Sequence, residues 1–416
     1  GMAYRELGDL DRARYHLQLN EHDLVMFPDP LVFRLAGQIQ GARFFIKLGN
    51  EALDEGRLGE AIEAFREAVA RDPEEKLAQY NLAQALLRAG QLEEAIQHLE
   101  RAIEIDPEFR DAHFNLGTAL SEAERYEEAA THFQRVQKID PQDREARLQW
   151  AMAMGRGGRA REAVEQLEAL RSEDPEDAGI ALSLAAILGP VGQVEAARAE
   201  LERALTIARD PVLEAEANFQ LGLLDQREGE TEASIEHFLA AGRLNPKLSG
   251  ANTAAGALQA QQGRFDEAAE SFERVVEADP ANQVARFSRA MALVLAAEYR
   301  RAIEELEEDL EILPGSLPLK HLLARLLATV PDEIVRQGDR AVELAQAVFD
   351  EAASADHAET LAMAWAESGD FDAAIQWQER ALSLLGNEGD AARSNAARQR
   401  MELYRSQQPC REPWKS

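Results

Sequence analysis

Cysteine is almost absent: the 416 residues hold a single one, Cys410. Neither a disulfide framework nor a cysteine zinc site can be assembled from it. Its place in the C-terminal tail reads as an exposed thiol with no base or metal partner nearby. Long apolar runs are missing too. No stretch approaches the roughly 20 apolar residues of a membrane-spanning helix, so direct membrane insertion is not expected. Positive charge is scarce, with 45 Lys and Arg against 76 Asp and Glu and a formal net charge of -31. Neutralising nucleic-acid phosphates needs a basic stripe, and an anionic membrane would repel this chain. Neither is expected as a partner. Catalytic spacings are also lacking: there is no His-Glu-x-x-His, no Gly-x-x-x-x-Gly-Lys and no Gly-x-Ser-x-Gly. The expectation is a chain with no enzyme activity and no cofactor.

What the sequence does contain is a period. Pro73, Pro107, Pro141 and Pro175 follow one another at intervals of 34 residues, and Pro246, Pro280 and Pro314 resume the same step. Asp72, Asp106, Asp140, Asp174, Asn245 and Asp279 stand immediately before them, with Leu313 the exception. A proline at such a place ends a helix and pushes the residue before it away from helical geometry. Twelve positions ahead of each proline is a small residue: Ala61, Ala95, Ala129, Ala163, Ser234, Ala268 or Ala302. Four further on is a large apolar one: Phe65, Leu99, Phe133, Leu167, Phe238, Phe272 or Leu306. Gly49, Ala83, Gly117, Ala151, Gly222, Gly256 and Ala290 stand 24 positions before the prolines. Between these, Gly56, Gly90, Gly158, Gly229 and Gly263 mark a turn. The pattern predicts two helices per unit, A and B, close together at the small residues, and units that must stack to bury a core.

The chain therefore resembles the tetratricopeptide repeat, which implies an all-α fold: a right-handed α-solenoid, or superhelix, of helix-turn-helix repeats. Five repeats are expected over 42–211 (42–75, 76–109, 110–143, 144–177 and 178–211) and five more over 212–388 (215–248, 249–282, 283–316, 317–354 and 355–388). Extra residues at 206–211 read as a longer loop between the two groups, and residues 329–338 as a lengthened turn in the ninth repeat. Residues 1–20 match the second half of a repeat, so the natural chain is expected to extend further N-terminally. Residues 21–41 read as a linker and lead-in helix, and 389–416 as a polar capping helix with an extended or disordered tail. Both ends resemble bacterial cell-envelope members of this family that often follow a c-type cytochrome-like module, through Ala3–Asp9, Asp29–Leu31, Leu403–Arg405 and Pro409–Pro413. That places the chain in a bacterial periplasm, envelope or cytoplasm without choosing among them.

Four further readings concern polar residues. His98, His132 and His237 share one helix-B position, which makes them repeat surface residues without the second ligand a metal site needs. Acidic runs such as 304–309 read as solvated helix faces, and Gly155–Gly158 as a hairpin turn. The family binds in a groove lined by A helices, and the resemblance carries that role to Arg43, Lys47, Asn50, Tyr80, Asn81, Gln84, Arg88, Phe114, Asn115, Gln149, Met152, Arg156, Phe219 and Arg227. Asn50, Asn81 and Asn115 are amides suited to gripping the backbone of an extended peptide. Asn50 and Asn81 match the asparagines of the family's chaperone-tail clamp. Its basic positions fall on Ile46, Asp111 and Asn115, none of them cationic, so chaperone C-termini are rejected as ligands. The expected function is a protein- or peptide-binding scaffold. The alternatives are a docking arm of a larger enzyme or cytochrome protein, and a self-assembling homo-oligomer.

Overall fold

A computed structural model describes residues 41–388 and 391–411. The partial repeat at 1–20, and all but the last residue of the linker at 21–41, lie outside the described residues. Regular structure among the described residues is helical throughout. The chain divides into two compact units between Gln193 and Val194. The first holds α1 (Ala42–Asp54), α2 (Leu58–Arg71), α3 (Lys76–Arg88), α4 (Leu92–Ile105), α5 (Arg110–Glu122), α6 (Tyr126–Ile139), α7 (Arg144–Arg156), α8 (Ala160–Glu173) and α9 (Ala178–Leu188). The second begins with α10 (Val194–Ile207), α11 (Pro211–Glu228), α12 (Thr231–Leu244), α13 (Ser249–Gln261), α14 (Phe265–Ala278) and α15 (Gln283–Leu295). It continues with α16 (Tyr299–Ile312), α17 (Leu317–Thr329), α18 (Gly338–Glu351), α19 (Ala355–Ser368), α20 (Phe371–Glu388) and α21 (Ala391–Arg405). Up to α20, odd-numbered helices are the A helices and even-numbered ones the B helices; α21 follows the last repeat.

Each repeat is held by three local devices. The first explains the residue before the proline. Asp72 Oδ1 accepts the Glu74 N–H at 3.1 Å, and Asp106, Asp140, Asn245 and Asp279 do the same two residues on. A side chain that folds onto its own backbone in this way closes the turn between repeats. The second device is the A–B hairpin, where Gly56, Gly90, Gly158, Gly229 and Gly263 all have positive φ. Glu124 (φ 60°) and Ala297 (φ 63°) stand at the equivalent position of their repeats and adopt the same left-handed geometry without being glycine. The third is close approach: a Cβ added to Gly117 would lie 2.8 Å from the Phe133 ring, and one on Gly222 2.7 Å from Phe238. Both rings are fully buried.

Residues 208–210 connect α10 to α11 as a short loop. Asp210 caps α11 by accepting the Val212 N–H at 2.9 Å, and Pro211 takes the first helical turn, where its missing N–H costs nothing. The two compact units part inside the fifth repeat: α9 packs on α7 and α8, and α10 on α11. Two expectations need correction. The acidic run 304–309 is not wholly solvated. Asp309 is fully buried, taking Arg286 and Arg289 of α15, and Arg289 also reaches Glu305 at 2.8 Å. The pairing arginines lie 20 and more residues away in sequence, where no charge run announces them. Burial raises the pKa of the Glu305 carboxyl, against the pull of Arg289. Nor is Cys410 an exposed thiol: it is only 6% exposed. The sulfur packs into the core of the last repeats beside the fully buried Tyr404.

These geometries predict opposite outcomes for two glycine exchanges. Ala297→Gly relieves a left-handed alanine and is expected to raise stability by about 1 kcal/mol. Gly117→Ala, although favourable to an isolated helix, drives a methyl into an immobile ring and is expected to cost about 1–3 kcal/mol. Thermal or urea unfolding of the two variants measures both signs.

Candidate functional site

The A helices of the first three repeats bring their predicted polar residues into contact. Asn81 of α3 donates its amide to Asn50 Oδ1 of α1 at 3.2 Å. One repeat on, Asn115 of α5 donates to Tyr80 Oη at 3.1 Å, and Gln84 donates to the same oxygen at 2.7 Å. Tyr80 lies at 5.0 Å from the Phe109 ring, which also carries the Lys76 ammonium at 5.0 Å. Burial and then the Asp111 carboxylate raise the Tyr80 pKa, so the phenol stays neutral. Its oxygen accepts twice, which leaves the O–H proton uncommitted among the described residues. Asn50 keeps both amide hydrogens and Asn81 keeps its carbonyl oxygen. The result is a row of donors and acceptors crossing three repeats on half-exposed to exposed side chains.

Cations flank this row. Arg43, Arg88 and Arg156 are exposed and make no ion pair among the described residues, while Lys47 makes only an exposed 3.7 Å pair with Glu51. Most other arginines of the unit are paired, as Arg57, Arg66, Arg101, Arg135 and Arg147 show. Gln149 hydrogen-bonds Glu145 on its own helix at 2.8 Å, and Met152 is half-buried beside it. Phe114 sets its ring edge-on to Phe133 at 5.6 Å, so it packs A on B within one repeat; Arg110 lies over its other side at 5.5 Å. Phe219 and Arg227 belong to the second unit. There Phe219 packs on Phe238 at 5.6 Å, and Arg227 is exposed without an ion pair among the described residues. Phe109 and Arg110 were not legible as site residues. The only signal is that this one inter-repeat turn carries an aromatic where the neighbouring turns are polar.

The histidines are not a surface stripe. His98 Nδ1 donates to Gln79 Oε1 at 2.6 Å, and the Gln79 amide donates to the Pro73 carbonyl at 3.0 Å. In the next repeat His113 Nε2 donates to the Pro107 carbonyl at 3.2 Å, so its Nδ1 is a bare acceptor for His132 Nδ1–H at 3.0 Å. His237 Nδ1 instead meets the buried Asp225 carboxylate at 2.7 Å. Each ties helix A to helix B. No group of three or more metal-binding side chains exists among the described residues. Burial, reinforced by His113, pushes His132 down to about 4.

Comparison with known proteins agrees with this repeat geometry. Three family models, each described as tetratricopeptide repeat, match residues 46–108, residues 86–154 together with 259–326, and residues 145–177. These are tetratricopeptide repeats. Anaphase-promoting complex subunit 3 of Schizosaccharomyces pombe is 26% identical over 108 residues, covering 26% of this chain and 16% of that protein. The chain thus spans under a fifth of that curated relative's length. Among solved structures, the P58(IPK) TPR domain is 21% identical, with 88% of this chain and 98% of that one covered at a TM-score of 0.30. Yeast Tom70 is 14% identical, with 88% and 96% covered at a TM-score of 0.36. Tetratricopeptide repeats bind proteins or peptides.

The His113–His132 contact predicts an acid sensitivity. It needs both rings neutral, and the His132 pKa falls from 6.5 to about 4 on folding. Between those values the unfolded chain binds more protons than the folded one, so stability is complete above pH 6.5 and is lost as pH falls toward 4. Replacing His132 by Gln should flatten the dependence of the unfolding midpoint on pH in that window, by about 1–2 kcal/mol after screening. An unchanged slope would refute the neutral pair.

Proposed function

We propose that the chain is a non-enzymatic scaffold that holds an extended segment of a partner protein along the A helices of its first repeats. The observation that carries this reading is the row formed by Asn50, Asn81, Tyr80 and Asn115, whose mutual hydrogen bonds leave donors and acceptors facing outward on successive A helices. An extended backbone offers an N–H and a C=O at each residue and matches such a row. Arg43, Arg88 and Arg156, unpaired among the described residues, and Lys47 favour acidic side chains on that segment. In a chain of net charge -31 an acidic partner needs a local basic patch to approach at all.

The test is capture of native partners by the full chain and by an Asn81→Ala/Asn115→Ala variant, followed by titration of the purified partner. The variant is expected to bind about tenfold or more weakly with an unchanged fold, because two polar recognition contacts are lost. Binding by the unmodified chain should weaken with added salt. Undiminished capture by the variant would overturn the assignment.

A further inference from the structure

In the last repeats a segment of chain lies against the C-terminal ends of the A helices. After α21 the chain turns at Gln407, whose φ is +56°, with the Gln408 N–H bonded to the Leu403 carbonyl at 2.9 Å. It then runs back against the direction of the array. Cys410 enters the core shared by α17 and α19. Arg411 crosses further, placing Nη2 at 2.7 Å from Glu367 at the end of α19 and Nη1 at 3.4 Å from the Ala328 carbonyl at the end of α17.

The receiving surface is built by the ninth-repeat insertion. Arg336, in residues 330–337, donates to the Val330 and Pro331 carbonyls at 3.0 and 2.8 Å and to the other oxygen of Glu367 at 2.7 Å. One carboxylate therefore grips two guanidinium groups, one from the insertion and one from the tail. Both cations rest on carbonyls at the negative end of α17, where a helix leaves them without internal partners. Close to Cys410 are the charged side chains of Arg325 on α17 and Glu359 on α19. Thr360 and Glu359 are buried, Glu359 pairs with Arg400 at 2.8 Å, and His321 meets Thr360 at 2.7 Å. Among the described residues the Arg325 guanidinium has no hydrogen bond or ion pair, and the buried Tyr404 hydroxyl has no partner.

We propose that residues 406–411 are an intramolecular latch, held by Glu367 between Arg411 and Arg336, that closes the A-helix face of the ninth and tenth repeats and opens as a unit. On this reading the insertion at 330–337 is the latch's receptor. Opening uncovers the Cys410 thiol without unstacking a repeat. The proposal is independent of the partner segment assigned to the first repeats.

Cys410 is the sole cysteine of the chain, so its alkylation rate reports the latch alone. In the full chain the thiol should react far more slowly than a free thiol, since burial both shields it and raises its pKa. Glu367→Gln and, separately, Arg411→Ala should each raise that rate about tenfold or more, with far-UV circular dichroism and the unfolding midpoint of the repeats retained. Two results would overturn the proposal: free-thiol reactivity in the unmodified chain, or a rate unmoved by both substitutions. A rate that rises on dilution would overturn it as well, because protection would then come from a second copy.

Discussion

The distance between the two helices of a repeat is the constraint from which the rest follows. Where helix A carries glycine and helix B an aromatic ring, as at Gly117 with Phe133 or Gly222 with Phe238, there is no room for even a methyl between them. The ring fills the gap that the missing side chain leaves and is itself fully buried. With that spacing fixed, the A helices of successive repeats come close enough for Asn81 to reach Asn50 and for Asn115 to reach Tyr80. The candidate binding row is thus a by-product of core packing one layer beneath it.

Polar contacts then decide how the helices are oriented. The fourth residue of several A helices, whether Gln79, His113 or Arg286, bonds the carbonyl of the preceding turn proline and a helix-B partner at once. Different side chains fill one geometric role: an amide, an imidazole and a guanidinium. All of them offer a donor to the carbonyl, which the proline turn leaves unpaired. The partners then vary to suit, from His98 and His132 to the buried Asp309.

The repeat architecture was legible because its determinants are local and recur. Proline spacing, the small residue facing the ring and the glycine at the hairpin each express a backbone requirement that one residue type meets best. The exceptions show the limit of that logic. Glu124 and Ala297 adopt the glycine geometry without glycine, so composition alone does not mark them. The polar half of the site was legible as residue types in phase, whereas Phe114 and Phe219 face their own helix B and serve packing. Burial of Asp309 and of Cys410 depended on partners outside the repeat pattern. Periodicity predicts which residues face a neighbour, but not which of those neighbours carry charge.

Nearly every contact in the array joins a residue to its own repeat or the next. The bond from Arg411 to the Ala328 carbonyl spans 83 residues and does not. Closing so long a segment has an entropic cost that no single ion pair offsets, so this contact can form only once the repeats between its two ends have already stacked. Residues 406–411 therefore act as a checkpoint on assembly: they dock on a finished pair of repeats and have nothing to hold if either is misfolded.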